Sequence, residues 1–216
     1  MIQVSDISIA KAYLNVKKFL YESGYFNEIE WQYGVDVSRI NEQSFLEEYA
    51  WVVLNSGMSE KIIRNIFPYI CSSFFNWSSI EKIVKNRDLC RAKALKHFNN
   101  KKKVDAIIET TNIIYKKKFN IFFDEIKNNG VNYLEKLPYI GPITSYHLAK
   151  NIGFSVSKPD RHLVKLAELL NYDSVNNLCN TIYYLTEEPI NVIDIVLWRY
   201  STLKKDFYDI CVKFDE

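Results

Sequence analysis

The sequence predicts an all-α fold, and three observations carry that prediction. Apolar residues recur at helical spacing along most of the chain. Only six Gly and five Pro occur among 216 residues, too few for the many turns of an all-β fold. No segment shows strict apolar–polar alternation bounded by turn chemistry.

Taken in order, residues 6–22 place Ile7, Ile9, Tyr13, Leu14, Val16, Phe19 and Leu20 close to one helical stripe, with Ser5 as N-cap and Gly24 as stop. Residues 25–42 carry Tyr25, Phe26, Trp31 and Tyr33 without a clear period, and read as a loop packed over a cleft. Residues 44–55 form a strongly apolar helix with Ser44 as cap and Glu47 three positions on, a capping-box spacing. Gly57 ends it, and Ser59 with Ile62, Ile63 and Ile66 begins the next. Short helices follow at 78–85 and 88–98, then a longer one at 102–118.

That longer helix opens with Lys101-Lys102-Lys103 and closes with Lys116-Lys117-Lys118. Lysines suit the closing end, where the helix dipole is negative. At the opening end they oppose it, which points either to phosphate contact or to a solvated cluster. A helix over Phe119 to Asn129 ends at Gly130, and further helices at 174–185, 189–201 and 203–213 complete the chain. No internal repeat or low-complexity linker interrupts it.

The length suits a well-buried core in one domain or two intimate lobes. A net charge of only +2 excludes a histone-like polycation, so any nucleic-acid role rests on local clustering. No apolar run approaches the ~18 residues of a membrane span. The N-terminus lacks the layout of a signal peptide, so the expected location is the cytoplasm. Cys71, Cys90, Cys179 and Cys211 lack metal-ligand spacing and read as reduced structural thiols. His97, His147 and His162 show no metal-ligand spacing either, and read as solvated or nucleic-acid-facing residues.

The most informative stretch is Leu134 to Lys165. Pro138-Tyr139-Ile140-Gly141-Pro142 forms a tight hairpin between two helices, with Gly141 supplying the backbone freedom and Pro142 opening the second helix. The next amides, at Ile143, Thr144 and Ser145, then lack intrahelical partners and face a phosphate-binding position. A second turn, Lys158-Pro159-Asp160, places Asp160 in the first turn of another helix, behind Pro159 as its first residue.

Leu137, Pro138, Ile140 and Gly141, followed by Lys158-Pro159-Asp160, resemble the signature of the helix-hairpin-helix/Gly-Pro-Asp superfamily of DNA glycosylases, with Tyr139 in place of the first hairpin Gly. The resemblance covers roughly residues 100–170. It implies two helical lobes with a cleft between them: a central lobe over about 30–130, and a second formed by 1–29 with 131–216 that carries the hairpin (131–152) and the Asp160 helix. It implies hydrolysis of the N-glycosidic bond of a damaged or modified base flipped from duplex DNA, in a nucleoid-associated monomer.

By resemblance, the hairpin anchors a DNA phosphate through Tyr139, Gly141, Ile143, Thr144, Ser145 and Lys150. The carbonyls of Glu135, Leu137 and Ile140 would bind a bridging monovalent cation, with no essential metal beyond it. Asp160 would stabilise the oxocarbenium-like transition state, since a fixed anion lowers the energy of positive charge developing on the sugar. Arg161 and His162 would face the strand. Asn55 or Met58 would fill the gap left by the flipped base, although Asn and Gly at that turn also serve ordinary helix termination.

Trp31, Tyr33, Trp51 and Trp198 are candidates for the base pocket, with core packing the alternative for each. Members that also cut the backbone carry Lys two residues after the second hairpin Gly. Ile143 stands there, which implies a monofunctional enzyme with water as nucleophile, Lys158 being the one nearby candidate for lyase chemistry. The four closely spaced C-terminal cysteines that hold an iron–sulfur cluster in some members are absent, so no cofactor is expected. A non-catalytic helix-hairpin-helix DNA-binding module is the alternative.

Overall fold

The computed structural model describes residues 4–215, and all their regular structure is helical. The α-helices in chain order are α1 (Asp6–Glu22), α2 (Phe26–Gly34), α3 (Glu42–Asn55), α4 (Glu60–Ser73), α5 (Ile80–Lys85), α6 (Arg87–His97), α7 (Lys101–Lys117), α8 (Phe119–Asn129), α9 (Val131–Leu134), α10 (Pro142–Asn151), α11 (Arg161–Leu169), α12 (Val175–Thr186), α13 (Ile190–Leu203) and α14 (Phe207–Asp215). No helix among the described residues is long and apolar enough to cross a membrane.

Local chemistry fixes most helix ends. Ser5 caps α1 by accepting the Ser8 amide, and Asn100 caps α7 by accepting that of Lys103. Gly130 stops α8 with φ +53, in the left-handed region that favours glycine. Several starts differ from the sequence reading, among them that of α14, which opens at Phe207 and not at 203. Helix α3 begins at Glu42, because Asn41 takes the cap by accepting the Ser44 amide, and Ser44 at the third position accepts the Asn41 amide with its hydroxyl. Residues 26–34, read as loop, form α2. Its buried positions are Ile29 and Gln32, while Phe26, Trp31 and Tyr33 are exposed, so the usual apolar stripe is missing.

The chain divides into two compact units. One joins the N-terminal segment through Asp36 to everything from Gly153 onward; the other runs from Val37 to Ile152. The hairpin and α10 therefore belong to the central unit, whereas the sequence assigns residues 131–152 to the other lobe.

In the first unit α13 is the central element and packs against α1, α2, α11 and α12. Val192, Ile193, Val196 and Leu197 bury completely against Tyr13, Val16 and Leu20 of α1 and Leu178 and Ile182 of α12. Each such side chain contributes roughly 2 kcal/mol of transfer free energy. In the central unit α3 packs against α4, α7 and α10. Its Phe45 meets Phe122 edge-on at 5.1 Å and stacks near Tyr49 at 6.4 Å.

Candidate functional site

The hairpin is built from the central unit outward. Leu137 accepts the Ile140 amide at 3.1 Å, closing the turn. Tyr49, buried on α3, places its hydroxyl 2.5 Å from the Pro138 carbonyl, which fixes the turn to the unit's core. The left-handed residue is Tyr139, at φ +63. Gly141 is extended, at φ −121 and ψ −174, so the unusual backbone lies two residues earlier than the sequence reading placed it.

Gly141 is the N-cap of α10. Its amide donates to Thr144 Oγ1 at 2.7 Å, and its carbonyl accepts the Ser145 amide at 2.9 Å. Pro142 has no N–H, so the amides of Ile143 and Thr144 remain as unpaired donors at the positive end of the helix. A Cβ added to Gly141 would meet nothing within 4 Å, so the space before this end is open. Ile143 is exposed beside it.

Two predicted contacts face inward instead. Ser145 is fully buried and donates its hydroxyl to the Pro142 carbonyl at 2.9 Å. Lys150 is 5% exposed. Of the predicted contacts, Tyr139, Gly141, Ile143 and the Thr144 amide remain at the hairpin's open end. Of the carbonyls predicted for a cation, that of Leu137 already accepts one hydrogen bond, from Ile140.

Asp160 lies in the first unit. It is the N-cap of α11 rather than a first-turn residue: φ −82 and ψ 168 keep it extended, and Oδ1 accepts the amides of His162 at 2.9 Å and Leu163 at 3.1 Å. Pro159 precedes the helix and does not open it. The loop before Asp160 is tied to α13, where the buried Asp194 accepts the Lys158 amide at 2.6 Å. Asp160 itself is half-buried, and His162 beside it likewise, while Arg161 is exposed.

The remaining candidates divide between the units. Met58 is exposed and Asn55 half-buried at the turn after α3, where Gly57 has φ +67. Trp51 is also on α3, edge-on to Phe67 at 5.1 Å, with Arg64 5.5 Å from its ring centre. Trp31 and Tyr33 are exposed on α2, and the Tyr33 hydroxyl meets both Lys17 and Glu188. Trp198 packs against the first unit's core with Arg199 4.7 Å above it. No disulfide joins the four cysteines among the described residues: Cys90, Cys179 and Cys211 are buried, and burial pushes the half-buried Cys71 up to about 11. His97 is exposed and stacks on Tyr69 at 5.0 Å.

Three buried or half-buried polar residues of the central unit were not singled out by the sequence reading. Lys103 is 2% exposed, and its ammonium donates to the carbonyls of Leu54 at 2.7 Å and Ser56 at 2.5 Å, the C-terminal end of α3. That explains a lysine at the unfavourable start of α7: it serves the negative end of a neighbouring helix. Burial lowers its pKa. Glu48, on α3, accepts from Asn151 at 2.8 Å, and burial lifts its carboxyl to about 7. Tyr49 is the third. The available signal was Glu47-Glu48-Tyr49 inside an apolar helix, where consecutive positions cannot all face water.

Comparison with protein-family models, curated proteins and solved structures found no match to this chain.

Proposed function

We propose that the protein is a DNA glycosylase that hydrolyses the N-glycosidic bond of a damaged or modified base flipped from duplex DNA, with water as the nucleophile. The observation that carries this reading is the hairpin. It presents two unpaired amides, at Ile143 and Thr144, with open space before Gly141, and its left-handed residue, Tyr139, occupies the position where the helix-hairpin-helix/Gly-Pro-Asp pattern has glycine. Main-chain amides of this kind hold a phosphate without reading sequence.

Charge distribution supports a polyanionic partner. Residues 37–152 carry 18 Lys and Arg against 11 Asp and Glu, whereas the rest of the chain carries 10 against 15. The near-neutral total conceals a cationic unit, and that unit holds the hairpin.

In this reading Asp160 supplies the fixed anion. Oδ1 is committed to two amides, which hold the carboxyl in place, and the carboxylate would stabilise positive charge developing on the sugar and orient the attacking water. Ile143 lacks a nucleophile, so strong strand cleavage by a Schiff base at that position is not expected, Lys158 being the one nearby amine. A panel of duplexes, each bearing one class of altered base, tests the proposal. Alkali-labile sites on one class, without cleavage before alkali, are expected; DNA binding with no such site on any duplex counts against it.

The capping geometry also favours a second reading, since an Asp accepting its helix's first amides is ordinary helix-starting chemistry. Under that reading the protein is a non-catalytic helix-hairpin-helix DNA-binding module, and replacing Asp160 changes no reaction.

A further inference from the structure

Lys103 is a buried cation without a counter-ion. Its two acceptors are carbonyls, and among the described residues no carboxylate lies within ion-pairing distance. Burying an ammonium costs several kcal/mol unless hydrogen bonds and geometry offset it, so such a group is retained for what it holds together. On one side it holds Leu54 and Ser56, the frame of the 55–58 turn. On the other, its ammonium lies 5.6 Å from the centre of the Tyr139 ring, the left-handed residue of the hairpin. Phe98 closes a third side at 5.8 Å. One side chain therefore touches both turns.

The two turns also expose matching chemistry. Met58 on one, and Tyr139 and Ile143 on the other, are exposed apolar side chains beside unpaired amides and a buried positive charge. Apolar side chains entering a base step, next to donors on the adjacent phosphates, is a recurring arrangement in minor-groove recognition.

We propose that Lys103 is a positioning residue that joins the hairpin and the 55–58 turn into one rigid DNA-contact surface, so that the hairpin's hold on the backbone sets where Met58 meets the base stack. This rests on the DNA-binding part of the function proposed above. The hydrogen bonds to Leu54 and Ser56 fix the turn, and the cation–π contact to Tyr139 fixes its distance from the hairpin.

The test uses the full chain and a duplex carrying 2-aminopurine beside a tetrahydrofuran abasic analogue. Emission is read at saturating protein, so that affinity does not enter, while binding is followed separately by anisotropy. Wild-type protein is expected to raise emission at least threefold as the stack opens. Lys103→Met should give less than half that rise, and Lys103→Arg, which keeps charge and donors, should restore it; a merely structural lysine would not produce that split. If Lys103→Met does not fold by circular dichroism, Tyr139→Gly takes its place. It suits the left-handed backbone, removes the ring contact, and should also lower the rise. Wild-type emission from Lys103→Met, or from Tyr139→Gly in its place, overturns the inference, as does wild-type protein that binds without any rise. Absence of wild-type binding to every duplex overturns the DNA-binding reading itself.

Discussion

Glu48 on α3 accepts a hydrogen bond from Asn151 at the end of α10, 2.8 Å away. The contact joins the helix that begins at the hairpin to the helix that supports it. Burial is the chief cause of the raised Glu48 pKa, with repulsion from Glu47 adding to it and the Asn151 amide opposing it.

A carboxyl lifted from 4.5 to about 7 favours the folded state while it is protonated. That stability is fully present below about pH 4.5 and is lost as the pH rises through 7, an effect on the order of 3 kcal/mol. Glu48→Gln keeps an acceptor for Asn151 and cannot ionise. Thermal melts should show the variant more stable than wild type at pH 8, by roughly 5 °C or more, and nearly equal to it at pH 4.5. A wild-type advantage at pH 8 would show that ionised Glu48 is not a burden.

At Gly141 the backbone angles suit any residue, and a Cβ meets nothing. Gly141→Ala should therefore fold with a stability change under about 1 kcal/mol. Under the proposed function the added methyl would stand where a phosphate approaches the Ile143 and Thr144 amides, so affinity for duplex DNA should fall about tenfold, roughly the worth of one charge-assisted hydrogen bond. Anisotropy titration at fixed salt measures it, and unchanged affinity would remove the hairpin from the interface.

Under the proposed function, substitutions at Asp160 separate capping from chemistry. Asn caps a helix as well as Asp does, whereas Ala loses the cap at a cost of about 1 kcal/mol. Asp160→Asn should melt with wild-type protein yet release no base, while Asp160→Ala should melt lower and also be inactive. Turnover by Asp160→Asn at the wild-type rate would defeat the catalytic role.

Tyr139 holds a left-handed backbone that costs a non-glycine residue about 1 kcal/mol. Tyr139→Gly should accordingly be more stable than Tyr139→Ala by about that amount in urea unfolding, since both lose the same ring. Equal stability of the two would mean that the turn relaxes when the ring is removed.

Much of the fold was legible because its signals are local. The Ser5 cap and the Gly130 stop are each set within a few residues, and the structure places both helix ends there. Asn41 and Ser44 are both good caps; the choice falls to Asn41 because Ser44 closes the reciprocal bond from inside the helix. Helix α2 was hidden because its exposed face carries the aromatics and its buried face carries Gln32, held by Asn191 far along the chain. The hairpin was legible as a turn, but the position of its left-handed residue was not, since a tyrosine there contradicts local preference and is held by tertiary contact. Lys103 was read with its neighbours as a surface triplet. Only the packing of α7 against α3 separates it from Lys101 and Lys102, which remain exposed.

The uneven division of charge between residues 37–152 and the remainder bears on how a nucleic acid would be met. Beyond a Debye length, about 8 Å in physiological salt, a polyanion senses little more than the small overall excess and is scarcely drawn in. Within that distance it senses the local excess of cations in residues 37–152. Under the proposed function, encounters with DNA should therefore be infrequent, and productive only when the cationic unit is met at close range.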